Sequence, residues 1–278
     1  MSDRQTPELV LYAGCLPAIP FRQFVGAAAS SGFTGVTMWP LMYRRAQSRE
    51  GLTPSEMRAV ADDAGVTVTC VEGCGDWLPL NEDGPTTNIF RVEWSRHHFF
   101  QAALELGADT VVASDMTGGR FSHQQAVEGF GQLCADAASH GLRIALEFIG
   151  FSEIKDLGSA WAIVRDGQAT NAALVFDVCH FRRGGSTLQQ LQEVPAHLIT
   201  EVQLGDGPKI APDDLLNEAM YGRTLPGTGE FELTELLTAL DAHGVSARTG
   251  PEVYLPEGTD VPDATAVALM EATRRVLN

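Results

Sequence analysis

Apolar and polar residues follow two alternating rhythms along this chain. Short β-branched or apolar runs occur at Leu9–Cys15, Gly35–Trp39, Thr67–Gly73, Thr110–Met116, Arg143–Ile149, Ala173–Val178, Ile199–Leu204 and Pro251–Leu255. Between them lie stretches with the apolar spacing of one helix face: Pro20–Ser31, Pro54–Ala64, Asn88–Leu106, Gln124–His140, Phe231–His243 and Asp260–Val276. Shorter helical stretches around Ser159–Asp166 and Thr187–Glu193 complete the set. The first rhythm predicts strands and the second helices. Eight strands in strict alternation with eight helices predict a parallel sheet with crossover helices.

Local punctuation supports that division. Thr53 before Pro54 has the form of an N-cap followed by proline in the first helical turn. Gly32, Gly65, Gly107, Gly141 and Gly244 each follow a helical run, where a left-handed residue ends a helix. The chain has 278 residues, and a (β/α)8 barrel needs about 250, so one TIM-barrel domain spanning residues 1–278 is expected. A doubly wound open sheet is the other arrangement of alternating elements. No Gly-x-Gly-x-x-Gly follows the first strand, and eight units suit closure. Two connections, Trp77–Thr87 and Gly205–Gly229, exceed what a barrel loop requires. Both fall after strands, on the C-terminal face where barrel active sites are built.

The ends of strands 5 to 8 carry the candidate chemistry. Strand 5 closes on Ala-Leu-Glu147, strand 6 on Val-Phe-Asp177, strand 7 contains Glu-Val-Gln203, and strand 8 opens Pro-Glu252. Each places a polar side chain among apolar neighbours. A charge buried alone is costly, so such residues need a shared cation or donor. Four of them on four consecutive strands converge at one barrel mouth. Three carboxylates and an amide oxygen would there hold one divalent metal ion. An all-oxygen donor set favours Mn2+ or Mg2+ over zinc.

With Glu147, the Asp177-x-x-His180 pair, position 203 and Glu252 in place, the chain resembles the xylose-isomerase-like TIM barrels, the sugar phosphate isomerase/epimerase group. The phrases Val-Gln203-Leu-Gly-Asp206 and Gly-Arg223-Thr-Leu-Pro-Gly-Thr-Gly-Glu230-Phe carry the resemblance furthest. Most epimerases of the group have His at the third ligand position. Gln203 is similar to a subset that includes some dehydroshikimate dehydratases. The resemblance implies a metal-dependent isomerase or epimerase of a small keto-sugar or polyol, working by proton abstraction next to a carbonyl through an enediolate. Glu147 and Glu252 would act as base and acid on opposite sides of the substrate. His180 would bind a substrate oxygen or assist proton transfer. Arg223, and more weakly Lys209, would reach a substrate hydroxyl, carboxylate or phosphate. The same first step can end in elimination, as in an inosose or dehydroshikimate dehydratase, or in a lyase of 3-keto glycosides, including carbon-linked ones. Some lyases of that last kind pair such a barrel with a small second subunit, so a homo-oligomer and a hetero-oligomer both stay open.

Other residues add detail. Trp39 and Trp77 could form an apolar wall beside a sugar ring, and Glu72 could point into the mouth. Asp206 reads as a residue that holds its loop, His97 and His98 as structural, and His123 as a helix start. The chain carries 36 acidic against 19 basic residues, a net charge of −17. Nucleic-acid binding needs a basic stripe, so that balance excludes nucleic acid as a partner and argues against a DNA-repair endonuclease. A non-catalytic binding protein would be expected to have lost a ligand, yet all four positions can coordinate. No apolar run approaches the ~20 residues of a membrane span, and the N-terminus lacks a secretory apolar core. A cytoplasmic location without membrane contact is therefore expected. Five scattered cysteines (Cys15, Cys70, Cys74, Cys134, Cys179) read as reduced packing residues.

Overall fold

The computed structural model describes residues 7–79, 94–115, 118–255, 258 and 260–278. Most of the expected Trp77–Thr87 loop, residues 88–93 of the expected Asn88–Leu106 helix and Met116 lie outside the described residues. The strands are β1 (Val10–Leu11), β2 (Gly35–Met38), β3 (Thr67–Cys74), β4 (Thr110–Ser114), β5 (Arg143–Glu147), β6 (Ala172–Asp177), β7 (Ile199–Leu204) and β8 (Arg248–Pro251). They are all parallel and pair in chain order. A parallel bridge between Leu9 and Thr249, where the Thr249 N–H donates to the Glu8 carbonyl at 2.9 Å, joins β8 back to β1. The single (β/α)8 barrel is the observed fold.

Eight of the helices form the outer layer at the expected places: α1 (Phe21–Ser31), α3 (Pro54–Asp63), α4 (Arg96–Leu106), α5 (His123–Ala138), α6 (Leu157–Gly167), α8 (Leu188–Glu193), α10 (Leu233–His243) and α11 (Pro262–Leu277). Thr53 caps α3 with a reciprocal Glu56 contact, the capping box that fixes where that helix starts. The alternation is not strict, however. An added helix α2 (Pro40–Glu50) precedes α3, α7 (Val178–Arg183) follows β6, and the short turn α9 (Leu215–Asn217) lies in the β7–α10 loop. The apolar face of α2 is only Pro40, Met42, Tyr43 and Ala46 among Arg, Gln and Glu, too narrow a stripe to announce a helix.

The last strand also moves. It was expected at Pro251–Leu255 and lies at Arg248–Pro251, so Glu252 follows the strand instead of opening it. The polar segment Arg248-Thr249-Gly250 hid it. Gly250 is required there, because a Cβ would fall 1.7 Å from the Val10 carbonyl oxygen across the β8–β1 seam.

Strand side chains alternate between axis and helix layer. Cys70, Val112, Ala145, Ala173 and Val175 form a separate apolar cluster inside the barrel, apart from the main core between strands and helices. Two residues further along the same strands come Glu72, Ser114, Glu147 and Asp177. They face the axis one layer higher, at the C-terminal mouth. Gln203 and Glu201 share the inward face of β7. The floor of the barrel is ionic: Arg248 makes a bidentate pair with Asp109 (2.7 and 2.8 Å) and reaches Glu8 at 3.2 Å and buried Glu201 at 3.4 Å. Tyr12 donates to the other Glu201 oxygen at 2.8 Å. All five cysteines are free and buried, as expected.

Candidate functional site

The register of the barrel brings the strand-end residues to one level. Ser114 pairs with Glu147, Glu147 with Val175, Asp177 with Gln203, and Leu204 with Pro251. The Glu252 N–H continues that ladder by donating to the Leu204 carbonyl at 2.8 Å. Oxygens of Glu147 and Asp177 and a ring nitrogen of His180 lie within 4.8 Å of one another. His180 therefore belongs to this group; Gln203 pairs with Asp177 across β6 and β7, and the Glu252 carbonyl shares Arg223 with Asp177.

Asp177 is also the N-cap of α7, its Oδ1 accepting the His180 N–H at 2.8 Å. This local contact turns the chain sharply after the strand and aims the His180 ring back at the carboxylates. Gly150 donates to His180 Nδ1 at 3.3 Å, and Phe151 meets the ring edge to face at 5.8 Å. His180 Nε2 lies 4.0 Å from Glu147 and 3.2 Å from Arg223 Nη2. Burial pushes its pKa down to about 4; Asp177 opposes that shift and Arg223 adds to it.

Arg223 is the cation of the mouth. Its Nη1 donates to Asp177 Oδ2 at 2.7 Å and to the Glu252 carbonyl at 3.0 Å. Burial alone would raise the Asp177 carboxyl, but Arg223 and His180 hold it below its ordinary range. At Glu147 the pull of Arg223 is outweighed. Burial first, then Asp177 and Glu252, push it up to about 8. Burial likewise raises Glu252, against the pull of Arg223.

Two side chains on the expected list take supporting places. Glu72 is buried, accepting from Thr37 Oγ1 at 2.6 Å and from Gln203 Nε2 at 3.2 Å. Trp39 is half-buried, and its ring and Glu252 Oε1 both lie against Gly14. Lys209 is exposed, and its backbone N–H donates to Glu230 at 3.1 Å. Asp206 holds its loop as expected: its carboxylate accepts from the N–H groups of Gly207, Gly227 and Phe231 at 2.9–3.1 Å. A Cβ on Gly229 would come within 2.5 Å of Asp206 Oδ1, which explains glycine in the Pro-Gly-x-Gly phrase. His98 closes the α4 cap with Ser95, and His123 starts α5 paired to Asp166 at 2.8 Å.

The sequence reading missed a clamp on the long loop. Arg183 of α7 holds Glu218 through two nitrogens, at 2.6 Å from Nε, and its guanidinium lies 4.6 Å over the Phe231 ring. Glu218 opens a five-residue π-helical turn, Glu218–Gly222, that delivers Arg223. Only the Arg182-Arg183 pair after His180 hinted at it, and nothing in the sequence tied that pair to Glu218.

The donor set fits a divalent cation. Gln203 Oε1 and Glu252 Oε2 are buried with no hydrogen-bond partner among the described residues. Such acceptors cost free energy unless something positive meets them. As carboxylates, Glu147, Asp177 and Glu252 would carry three charges and Arg223 returns one, so a divalent ion would bring these four residues to neutrality. Glu147, Asp177, Gln203 and Glu252 would hold it.

Fold and cluster together define an eight-stranded barrel with an acidic, oxygen-rich mouth. The chain belongs to the xylose isomerase-like TIM barrel family, whose model matches residues 25–275. It is 27% identical over 237 residues to a 3-dehydroshikimate dehydratase of Pseudomonas aeruginosa, covering 82% of this chain and 35% of that protein. It is 30% identical over 128 residues to an inosose isomerase of Halalkalibacterium halodurans, covering 45% of this chain and 44% of the relative. The chain thus spans less than half the length of these curated relatives. A solved structure of the IOLI protein with a bound zinc atom superposes with a TM-score of 0.81 at 18% identity, covering 97% of this chain and 98% of that one. The relatives are named enzymes, and no helix among the described residues is long and apolar enough to cross a membrane.

Proposed function

We propose that this barrel is a divalent-metal-dependent isomerase or epimerase of a small keto-sugar or polyol, acting through proton abstraction next to a carbonyl. The observation that carries this reading is the pair of orphaned acceptors, Gln203 Oε1 and Glu252 Oε2, beside Glu147 and Asp177 in one mouth. Mn2+ or Mg2+ bound there would polarise a carbonyl and its neighbouring hydroxyl, acidifying the C–H between them. Glu147 ends β5 and Glu252 follows β8, which β6 and β7 separate, so they approach a bound sugar from different sides. One carboxylate would take the proton while the electron pair enters the carbonyl, leaving an enediolate. The other would return a proton to the opposite face. His180, buried and neutral, would hydrogen-bond a substrate oxygen, and Arg223 would orient a hydroxyl or carboxylate.

The second reading keeps the first step and ends in loss of water or of an aglycone. The dehydratase relative favours it. Solvent deuterium exchange in a panel of keto-sugars and polyol ketones with added Mn2+ tests both. Exchange without elimination supports the isomerase, and released water or aglycone supports the lyase. Either Glu147→Gln or Glu252→Gln should lower turnover by about 100-fold or more, as expected for loss of a general acid–base group. Unchanged activity in both would remove the mechanism.

A further inference from the structure

Gln203 raises a problem that a carboxylate or imidazole ligand would not. An amide has one coordinating end, its oxygen, and a donor end that repels a cation. The two ends have nearly the same shape, so packing alone does not choose between them. The choice must come from hydrogen bonds, and the structure contains a chain that makes it. The Ala13 N–H donates to Thr37 Oγ1 at 2.7 Å, and Thr37 donates to Glu72 Oε2 at 2.6 Å. Glu72 Oε1 accepts from Gln203 Nε2 at 3.2 Å. All of these groups are buried. A carboxylate whose two oxygens both accept leaves the amide only one satisfactory orientation, nitrogen toward Glu72. Gln203 Oε1 is the end that remains without a partner.

We propose that Glu72 is a positioning residue: through Thr37 and the β1–β2 end of the barrel it locks the Gln203 amide with its oxygen presented to the metal site. Glu72 thus acts on the amide as outer carboxylates act on metal-bound histidines, fixing the orientation of the ligand. It does not touch substrate in this role. The inference rests on the metal site proposed above, and it predicts a dependence that loss of charge alone would not produce. At position 203 a glutamate would need no orientation, because its two oxygens are equivalent. Removing Glu72 should then matter only while residue 203 is an amide.

The test is a cycle of four full-length proteins: wild type, Glu72→Met, Gln203→Glu and the double variant. Mn2+ binding is measured on each metal-stripped protein by calorimetry and by the EPR signal of free Mn2+. Glu72→Met in the Gln203 background should weaken Mn2+ binding by about 10–100-fold, the usual cost of losing an outer-shell partner. In the Gln203→Glu background the same change should leave binding within about threefold, or tighten it by removing a like charge. Equal losses in both backgrounds would mean that Glu72 acts only through its charge and would overturn the proposal, as would no loss with Gln203 present. Wild-type protein that takes up no Mn2+, or uptake that survives Asp177→Asn with Glu147→Gln, would remove the metal site itself along with it. Circular dichroism checks folding, and Glu72→Leu replaces Glu72→Met in the cycle if the methionine variant does not fold.

Discussion

Loading the stripped protein with Mn2+ should expel protons, in a number set by the burial of Glu147. That carboxyl is pushed up to about 8 by burial and by the charges of Asp177 and Glu252. A metal binds the carboxylate and not the acid, so loading must displace whatever proton is there. At pH 7 a group with a pKa of about 8 is roughly nine-tenths protonated, so Glu147 should release about 0.9 proton per ion. Glu252, raised by the same burial, adds to this. At pH 9 the Glu147 contribution should fall to about 0.1. In the same range the apparent affinity should rise about tenfold or more from pH 6 to pH 7, then level off above pH 8. Titration calorimetry in two buffers of different ionisation heat reads the proton count directly. Release near zero at pH 7, or the same release at pH 7 and pH 9, would refute a metal seated on these buried carboxylates.

The barrel floor and the loop clamp give two further expectations. Arg248→Met leaves Glu201 buried without its cation and should cost about 3–5 kcal/mol, the scale for breaking a buried ion pair from one side. Glu201 is already raised to about 7, by burial first and against the pull of Arg248. Its protonated form is therefore favoured by folding, a contribution full below about pH 4.5 and lost as pH rises through 7. Without Arg248 that loss grows, so the deficit in thermal midpoint should be larger at pH 8 than at pH 5.5; an equal deficit at both would contradict the assignment. Arg183→Met strands Glu218 and frees the turn that carries Arg223. Chymotrypsin should then cut between residues 215 and 222 at least about tenfold faster, since local opening controls such cleavage, and an unchanged rate would show that the clamp holds nothing.

The barrel was legible because each unit repeats a local signal. A strand run, a helix stripe and a glycine at its end need only neighbours in sequence to be recognised, and the family's strand-end pattern marked Glu147, Asp177, Gln203 and Glu252. The signal failed where polar chemistry replaced the apolar rhythm. Arg248-Thr249-Gly250 makes a strand whose partners are Glu201, Asp109 and a carbonyl of β1, none of them near it in the chain. The narrow stripe of α2 failed for the same reason.

Residue types and spacing, then, determined the fold class and the four candidate ligands, since both are written in short-range periodicity. Only the tertiary structure decided how the site is wired. It set Arg223 on Asp177, turned His180 toward Glu147, clamped the long loop through Arg183 and Glu218, and placed Glu72 against the Gln203 amide. Those contacts join residues 33 to 131 positions apart. Barrel closure brings such residues together in space, and a hydrogen bond between distant side chains leaves no period in the sequence.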